Sequence, residues 1–138
     1  MKQIFINLPI KDLDASQAFY RALGFSEYAL FTGENQICMK WGDAIYVMLQ
    51  SFAFFNSGSN KAIANPKNST TASFTLPVDS MEVLNRMVEK GIRAGGNEPI
   101  PLRDEGFMKI RTMEDPDGHS WSIIHLDMEK FLDFKNNN

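Results

Sequence analysis

The chain repeats itself. Phe74-Thr75-Leu76-Pro77-Val78 echoes Ile6-Asn7-Leu8-Pro9-Ile10. In both places a Leu-Pro-aliphatic triplet closes a strand-like run, and an acidic residue opens a helical one. Leu8 stands 16 residues before Gly24 and Leu76 stands 15 before Gly91, so strand end, helix and terminating glycine recur almost in register. A duplicated unit must pack its apolar face on its copy, which restricts the fold to two similar halves around one core. At 138 residues this is one domain. A chain of that size buries roughly two-thirds of its unfolded surface, so neither disulfide nor metal is needed for stability.

Local patterns fill in each half. From Gln3 to Ile10, Ile4, Ile6, Leu8 and Ile10 alternate with Phe5, Asn7 and Pro9, the period of a strand. Asp12 or Asp14 caps a helix over 13–23, whose apolar face is Ala15, Ala18, Phe19, Ala22 and Leu23. Gly24 suits a left-handed cap. Three strands follow, at Phe25–Thr32, Gln36–Trp41 and Ala44–Gln50. The second half offers a helix over 80–90 ended by Gly91, a weak strand at Ile92–Ala94, and strands at Phe107–Met113 and His119–Leu126. Asp115-Pro116-Asp117-Gly118 between the last two fits a type I turn. Met128–Phe134 has helical character. The modules are thus 1–50 and 70–127, joined by 51–69 and followed by the tail 128–138. The joining segment is long for a compact domain. With Phe52, Phe54 and Phe55 at its start, it reads either as a lid over a cleft or as the anchor of a crossover.

Charge and composition exclude some partners. The net charge of −3, with no basic run, argues against nucleic acid. No apolar run approaches the roughly 20 residues of a membrane span, and Met1-Lys2-Gln3-Ile4-Phe5 lacks the features of a signal peptide. The single cysteine, Cys38, cannot form an internal disulfide and reads as a small buried hydrophobe. The expected location is cytoplasmic, with no membrane partner.

The segments Asn7-Leu8-Pro9-Ile10-Lys11-Asp12-Leu13, Ala18-Phe19-Tyr20 with Leu23-Gly24-Phe25, and Asp115-Pro116-Asp117-Gly118-His119 resemble the vicinal oxygen chelate superfamily. That superfamily includes glyoxalase I, bleomycin-resistance proteins and extradiol dioxygenases. The resemblance covers nearly the whole chain. It implies an α+β fold, two tandem βαβββ modules forming a curled mixed sheet with a central cleft. It also implies a homodimer. It does not fix an activity, because one scaffold hosts unrelated functions.

Metal-dependent members of the superfamily draw two ligands from each module. Carried across position by position, those sites fall on Phe5, Met48, Ser73 and Ser122. None is a competent ligand for a divalent ion. The two histidines, His119 and His125, are six residues apart on one strand, about 20 Å between Cα atoms, too far to share an ion. The expectation is no metal and no cofactor.

Strand parity sorts the rest. Ile4, Ile6 and Leu8, Ile45, Val47 and Leu49, and Ala72, Phe74 and Leu76 pack under the helices. The opposite face carries Phe5, Asn7, Met48, Gln50, Ser73, Thr75 and Ser122, apolar surface with a few neutral hydrogen-bonding groups, as in a ligand cleft. Arg111 is counted with the cleft as a cation that could reach in to hold an anion, the alternative being a solvated strand charge. No catalytic residue emerges. Tyr20 reads as packing, and His119 as a turn residue. Three functions stay open: a metal-independent binder of a small molecule, a metal-dependent lyase, isomerase or dioxygenase, and a non-catalytic interaction module.

Overall fold

The computed structural model describes residues 1–138. β1 (Ile4–Ile10), β2 (Ser26–Glu27), β3 (Gln36–Trp41) and β4 (Ile45–Ser51) form one sheet in the order β1-β4-β3-β2. β5 (Ser73–Pro77), β6 (Arg103–Asp104), β7 (Met108–Glu114) and β8 (Ser120–Leu126) form the second in the order β5-β8-β7-β6. The sheets share one topology: the first strand runs parallel to the last and the others are antiparallel. The duplication read from the sequence is therefore real. It gives two open four-stranded mixed sheets, one from each βαβββ module, as the fold class expected from the sequence requires.

α1 (Leu13–Leu23) starts where Asp12 accepts from the backbone N–H of Ala15, and it ends at Gly24, where φ is +112°. That backbone conformation disfavours any residue with a Cβ. α3 (Met81–Arg93) is capped in the same way by Ser80 on the N–H of Val83. α1 packs against α3. Phe19, Tyr20 and Leu23 of α1 meet Leu84, Met87 and Val88 of α3. With Leu8, Val47 and Leu49 of one sheet and Leu76, Trp121 and Ile123 of the other, they build a single core. Each fully buried large side chain there contributes about 1.5–3 kcal/mol. α2 (Phe52–Ser57) opens the connecting segment, and α4 (Met128–Asn136) closes the chain.

Three expected elements differ. Gly91 does not end a helix but lies inside α3, buried. A Cβ there would collide with Cε of Met113 and come within 3.1 Å of Leu23 Cδ2, so this glycine serves helix-to-sheet and helix-to-helix packing. Ile92 and Arg93 accordingly continue the helix, with Ala94 as its C-cap, instead of forming a strand, and the short β6 comes later. The expected strand Phe25–Thr32 shrinks to Ser26–Glu27, followed by a 3-10 turn at Ala29–Phe31. The tertiary demand behind that turn is the covering of the first sheet's outer face. Cys38, Tyr46 and Met48 are buried beneath Tyr28. No helix is long and apolar enough to cross a membrane.

Candidate functional site

Parity places seven of the eight expected cleft residues on the sheet faces turned from the helices. Phe5 pairs with Tyr46, and Asn7 with Met48. Thr75 pairs with Ser122, and Ser73 with Ser120. The face of the first sheet is not free. Phe5 stacks on Tyr46 at 4.5 Å between ring centroids and tilts against Phe31 at 5.8 Å. Tyr28 packs on both Phe31 and Tyr46. Met48 is sealed beneath these rings, and Gln50, also buried, donates to Oε1 of Gln36 at 3.0 Å. Burial pushes the Cys38 thiol up, away from reactivity. On the second sheet, Ser73 and Thr75 are exposed, and Ser122 Oγ lies 3.3 Å from Thr112 Oγ1. Two separate groups result.

Arg111 belongs to neither. It pairs with Ile123 and so lies on the helix side of β7. Its guanidinium is held at 2.8 and 2.7 Å by the two carboxylate oxygens of Glu98, at 3.2 Å by Glu89 Oε1 and at 3.1 Å by Asn85 Oδ1. The expected anion-holding role is corrected: this cation is already neutralised by the chain, under α3. Parity explains the error, since Arg111 is in phase with Met113, which faces the core, and not with Thr112. The Arg111 hydrogen bonds hold the Glu98 carboxyl below the usual glutamate range.

The donors at the four inferred metal positions are a phenyl ring, a buried thioether and two hydroxyls. They do not fit a divalent cation. Nor do any three His, Cys, Asp or Glu side chains converge elsewhere.

The space in this molecule lies at the junction of the modules. A cavity of about 340 Å³ opens between β1, the start of β5 and the β7–β8 turn, and residues 62–72, the end of the connecting segment and the run into β5, wall it in. Leu8, Pro9, Phe55, Ile63 and Phe74 supply its apolar lining. Asn7, Ser69, Thr70, Thr71, His119 and Ser120 supply polar atoms, and the lining contains no Asp, Glu, Lys or Arg. Its volume falls in the range of small-molecule sites, as does its mixture of surfaces. A second cavity of about 580 Å³ adjoins it, sharing Pro9, Ile63, Ala64 and Pro66, and bears the charged residues Lys11, Asp12, Lys67 and Asp117. Of the eight residues expected from sequence, Asn7 alone lines either space.

The β7–β8 turn holds this junction together. Gly118 N–H donates to the Asp115 carbonyl at 2.9 Å, the turn expected from Asp115-Pro116-Asp117-Gly118. Oδ1 of Asp115 accepts from the backbone N–H groups of Asp117, Gly118 and His119, and Oδ2 accepts from the Tyr20 hydroxyl. Tyr20 accepts in turn from Trp121 Nε1 at 2.9 Å. Asp117 Oδ1 accepts from the Lys11 N–H at 2.9 Å, and His119 Nε2 reaches the Pro9 carbonyl at 2.9 Å. Burial drives the Tyr20 phenol far above its ordinary range, with the Asp115 charge adding to it, and burial likewise raises the Asp115 carboxyl. Sequence reasoning missed this network. The length and aromatic start of 51–69 marked the segment as notable, but no local pattern says which strand edge it walls.

Residues 2–42 match a family model described as bleomycin resistance protein-like N-terminal. No curated protein matches the chain. Among solved structures, a hypothetical protein from S. aureus superposes with a TM-score of 0.78 at 22% identity, covering 91% of this chain and 94% of its own. A glyoxalase/bleomycin resistance protein/dioxygenase family enzyme from Burkholderia phytofirmans PsJN gives 0.75 at 16%, covering 91% and 99%. A bleomycin resistance determinant encoded on the transposon Tn5 gives 0.61 at 21%, covering 92% and 99%. At these identities the likeness is one of fold. The fold is that of the glyoxalase and bleomycin-resistance proteins, and the resemblance to the vicinal oxygen chelate superfamily is supported.

Proposed function

We propose that this chain is a metal-independent small-molecule binding protein that holds a neutral, amphipathic ligand in the cavity between its modules. One observation carries the proposal: that cavity is lined by apolar and hydrogen-bonding groups, without an Asp, Glu, Lys or Arg side chain. An ion entering it is stripped of water with no counter-charge to offset the loss, whereas an uncharged molecule meets dispersion contacts and hydrogen bonds. The four positions to which the superfamily resemblance assigns metal ligands hold Phe5, Met48, Ser73 and Ser122, which supports binding without a metal.

Under this proposal the protein works in the cytoplasm as a homodimer. A buried lone thiol suits the first. The second follows from the fold family and is checked by sedimentation at micromolar concentration, where a monomer overturns it.

The test is titration with the neutral dye Nile red, and a thermal-shift screen of uncharged molecules, both in excess EDTA. Saturable binding that EDTA leaves unchanged, and that Thr71→Trp weakens by filling the cavity, is the expected result. Near one equivalent of a transition metal, found by elemental mass spectrometry on untagged protein and removable only with loss of stability, overturns it. The covered face of the first sheet, with Met48 and Cys38 under Tyr28, favours a second reading: an interaction module with no small ligand. Absence of binding across the screen selects that reading.

A further inference from the structure

One ring among the residues lining the cavity, that of His119, is held in position by the fold before any ligand is present. His119 Nε2 lies 2.9 Å from the carbonyl oxygen of Pro9, which only accepts. Nε2 therefore carries the hydrogen, and in the neutral ring Nδ1 is left as a bare lone pair. Nδ1 has no protein partner, and it is not sealed: Ser16 Oγ is the sole buried side-chain polar atom in the chain without one. The main chain at this residue is anchored as well, because the His119 N–H donates to Asp115 Oδ1 at 2.8 Å. Ring and backbone are thus both held before any ligand arrives, and a contact to Nδ1 costs little ordering.

We propose that the cavity selects neutral molecules bearing a hydroxyl or amide N–H donor on an apolar body, and that Nδ1 of His119 accepts the hydrogen bond from that donor. This deepens the binding proposal above and rests on it. Leu8, Phe55, Ile63 and Phe74 provide the apolar wall for the body of such a molecule. A carboxylate or alkoxide meets two lone pairs facing each other at Nδ1, with no cation among the lining residues to compensate. An ether or hydrocarbon leaves Nδ1 desolvated and unpaired, at a cost of about 1–3 kcal/mol. His119 is then a specificity residue. Its place in the Asp115-Pro116-Asp117-Gly118-His119 run, read from sequence as a feature of the turn, gives it a second role through the tautomer that Pro9 imposes.

The test compares two probes of nearly equal shape, 2-naphthol and 2-methoxynaphthalene, at pH 8 in EDTA, by calorimetric or fluorescence titration. The wild-type protein is expected to bind the naphthol at least about ten-fold more tightly, as one well-placed hydrogen bond allows. His119→Phe is expected to remove that preference while still binding the ether. Because His119→Phe also loses the bond to Pro9, the same question is put to the wild type by NMR. The Nδ1 nitrogen resonance is expected to move on addition of naphthol and to stay in place on addition of the ether. Equal affinity for the two probes, or a preference that survives in His119→Phe, overturns the role of Nδ1 and leaves the cavity as a ligand site. Binding of neither probe, together with no response to Nile red, overturns both proposals.

Discussion

Tyr20, in the last turn of α1, donates its phenolic proton to Oδ2 of Asp115 at 2.6 Å, across 95 residues of chain. Both groups are buried, and Tyr20 also satisfies the indole N–H of Trp121. One hydroxyl thus ties the helix of the first module to the closing turn of the second. Tyr20→Phe leaves the Trp121 N–H and one oxygen of a buried carboxylate without partners. A loss of about 2 kcal/mol is expected. Urea denaturation followed by tryptophan fluorescence measures it, and a change within a few tenths of a kcal/mol assigns Tyr20 to packing alone.

Gly118 is the seat of the connecting segment. Its φ is +104°, and a Cβ on it would stand 2.8 Å from the N atom of Lys67 and 2.9 Å from the C atom of Pro66. Neither the turn nor the segment admits a side chain there. Gly118→Ala is expected to loosen residues 58–72 while the rest of the fold persists. Limited trypsin digestion should then cut after Lys61 and Lys67 several-fold faster than in the wild type, and Nile red binding should weaken. Unchanged cleavage rates at both lysines mean that the segment is held elsewhere.

Gly91 tests the packing account of α3. Alanine gains about 1 kcal/mol of helix propensity over glycine. Here the added methyl meets Met113 and Leu23, both fully or nearly buried. Overpacking costs about 1–3 kcal/mol, so a net loss is expected despite the gain in propensity. Met113→Val should relieve it, and a double-mutant cycle reads the coupling directly. A stabilised Gly91→Ala single mutant contradicts the close approach.

The Glu98–Arg111 pair makes a pH-dependent contribution of known sign. Arg111 holds the Glu98 carboxyl below its ordinary range, so the unfolded chain takes up the proton at higher pH than the folded one does. The stabilisation is complete above the ordinary glutamate range and drains away as pH falls through the depressed folded value. Glu98→Gln is expected to cost about 1 kcal/mol at neutral pH, since part of the pair remains in contact with water. The gap between wild type and variant should close below about pH 4. A gap that stays constant to pH 3 rules out the ionised pair as its source.

The duplication, helices α1 and α3 and the long strands β1, β3, β4, β7 and β8 were legible in one dimension. These rest on short-range periodicity, on caps such as Asp12 and Gly24, and on a turn carried by four consecutive residues. Residue type alone also says that Phe5, Met48, Ser73 and Ser122 are poor ligands for a divalent ion. What tertiary structure decided is where faces and segments end up. Gly91 looks like a helix terminator in one dimension and proves to be a contact for Met113. Arg111 reads from sequence as a cleft cation, whereas its pleat phase, fixed by the pairing with Ile123, turns it to Glu98 and α3. Met48 and Gln50 sit on the expected face, but a ring cluster and a side-chain amide 14 residues away close over them. The cavity arises from Pro66 and Lys67 resting on Gly118, a contact set by the space between two sheets rather than by any local pattern. Periodicity reports which side of an element is apolar, and only the packing of distant elements decides what that side meets.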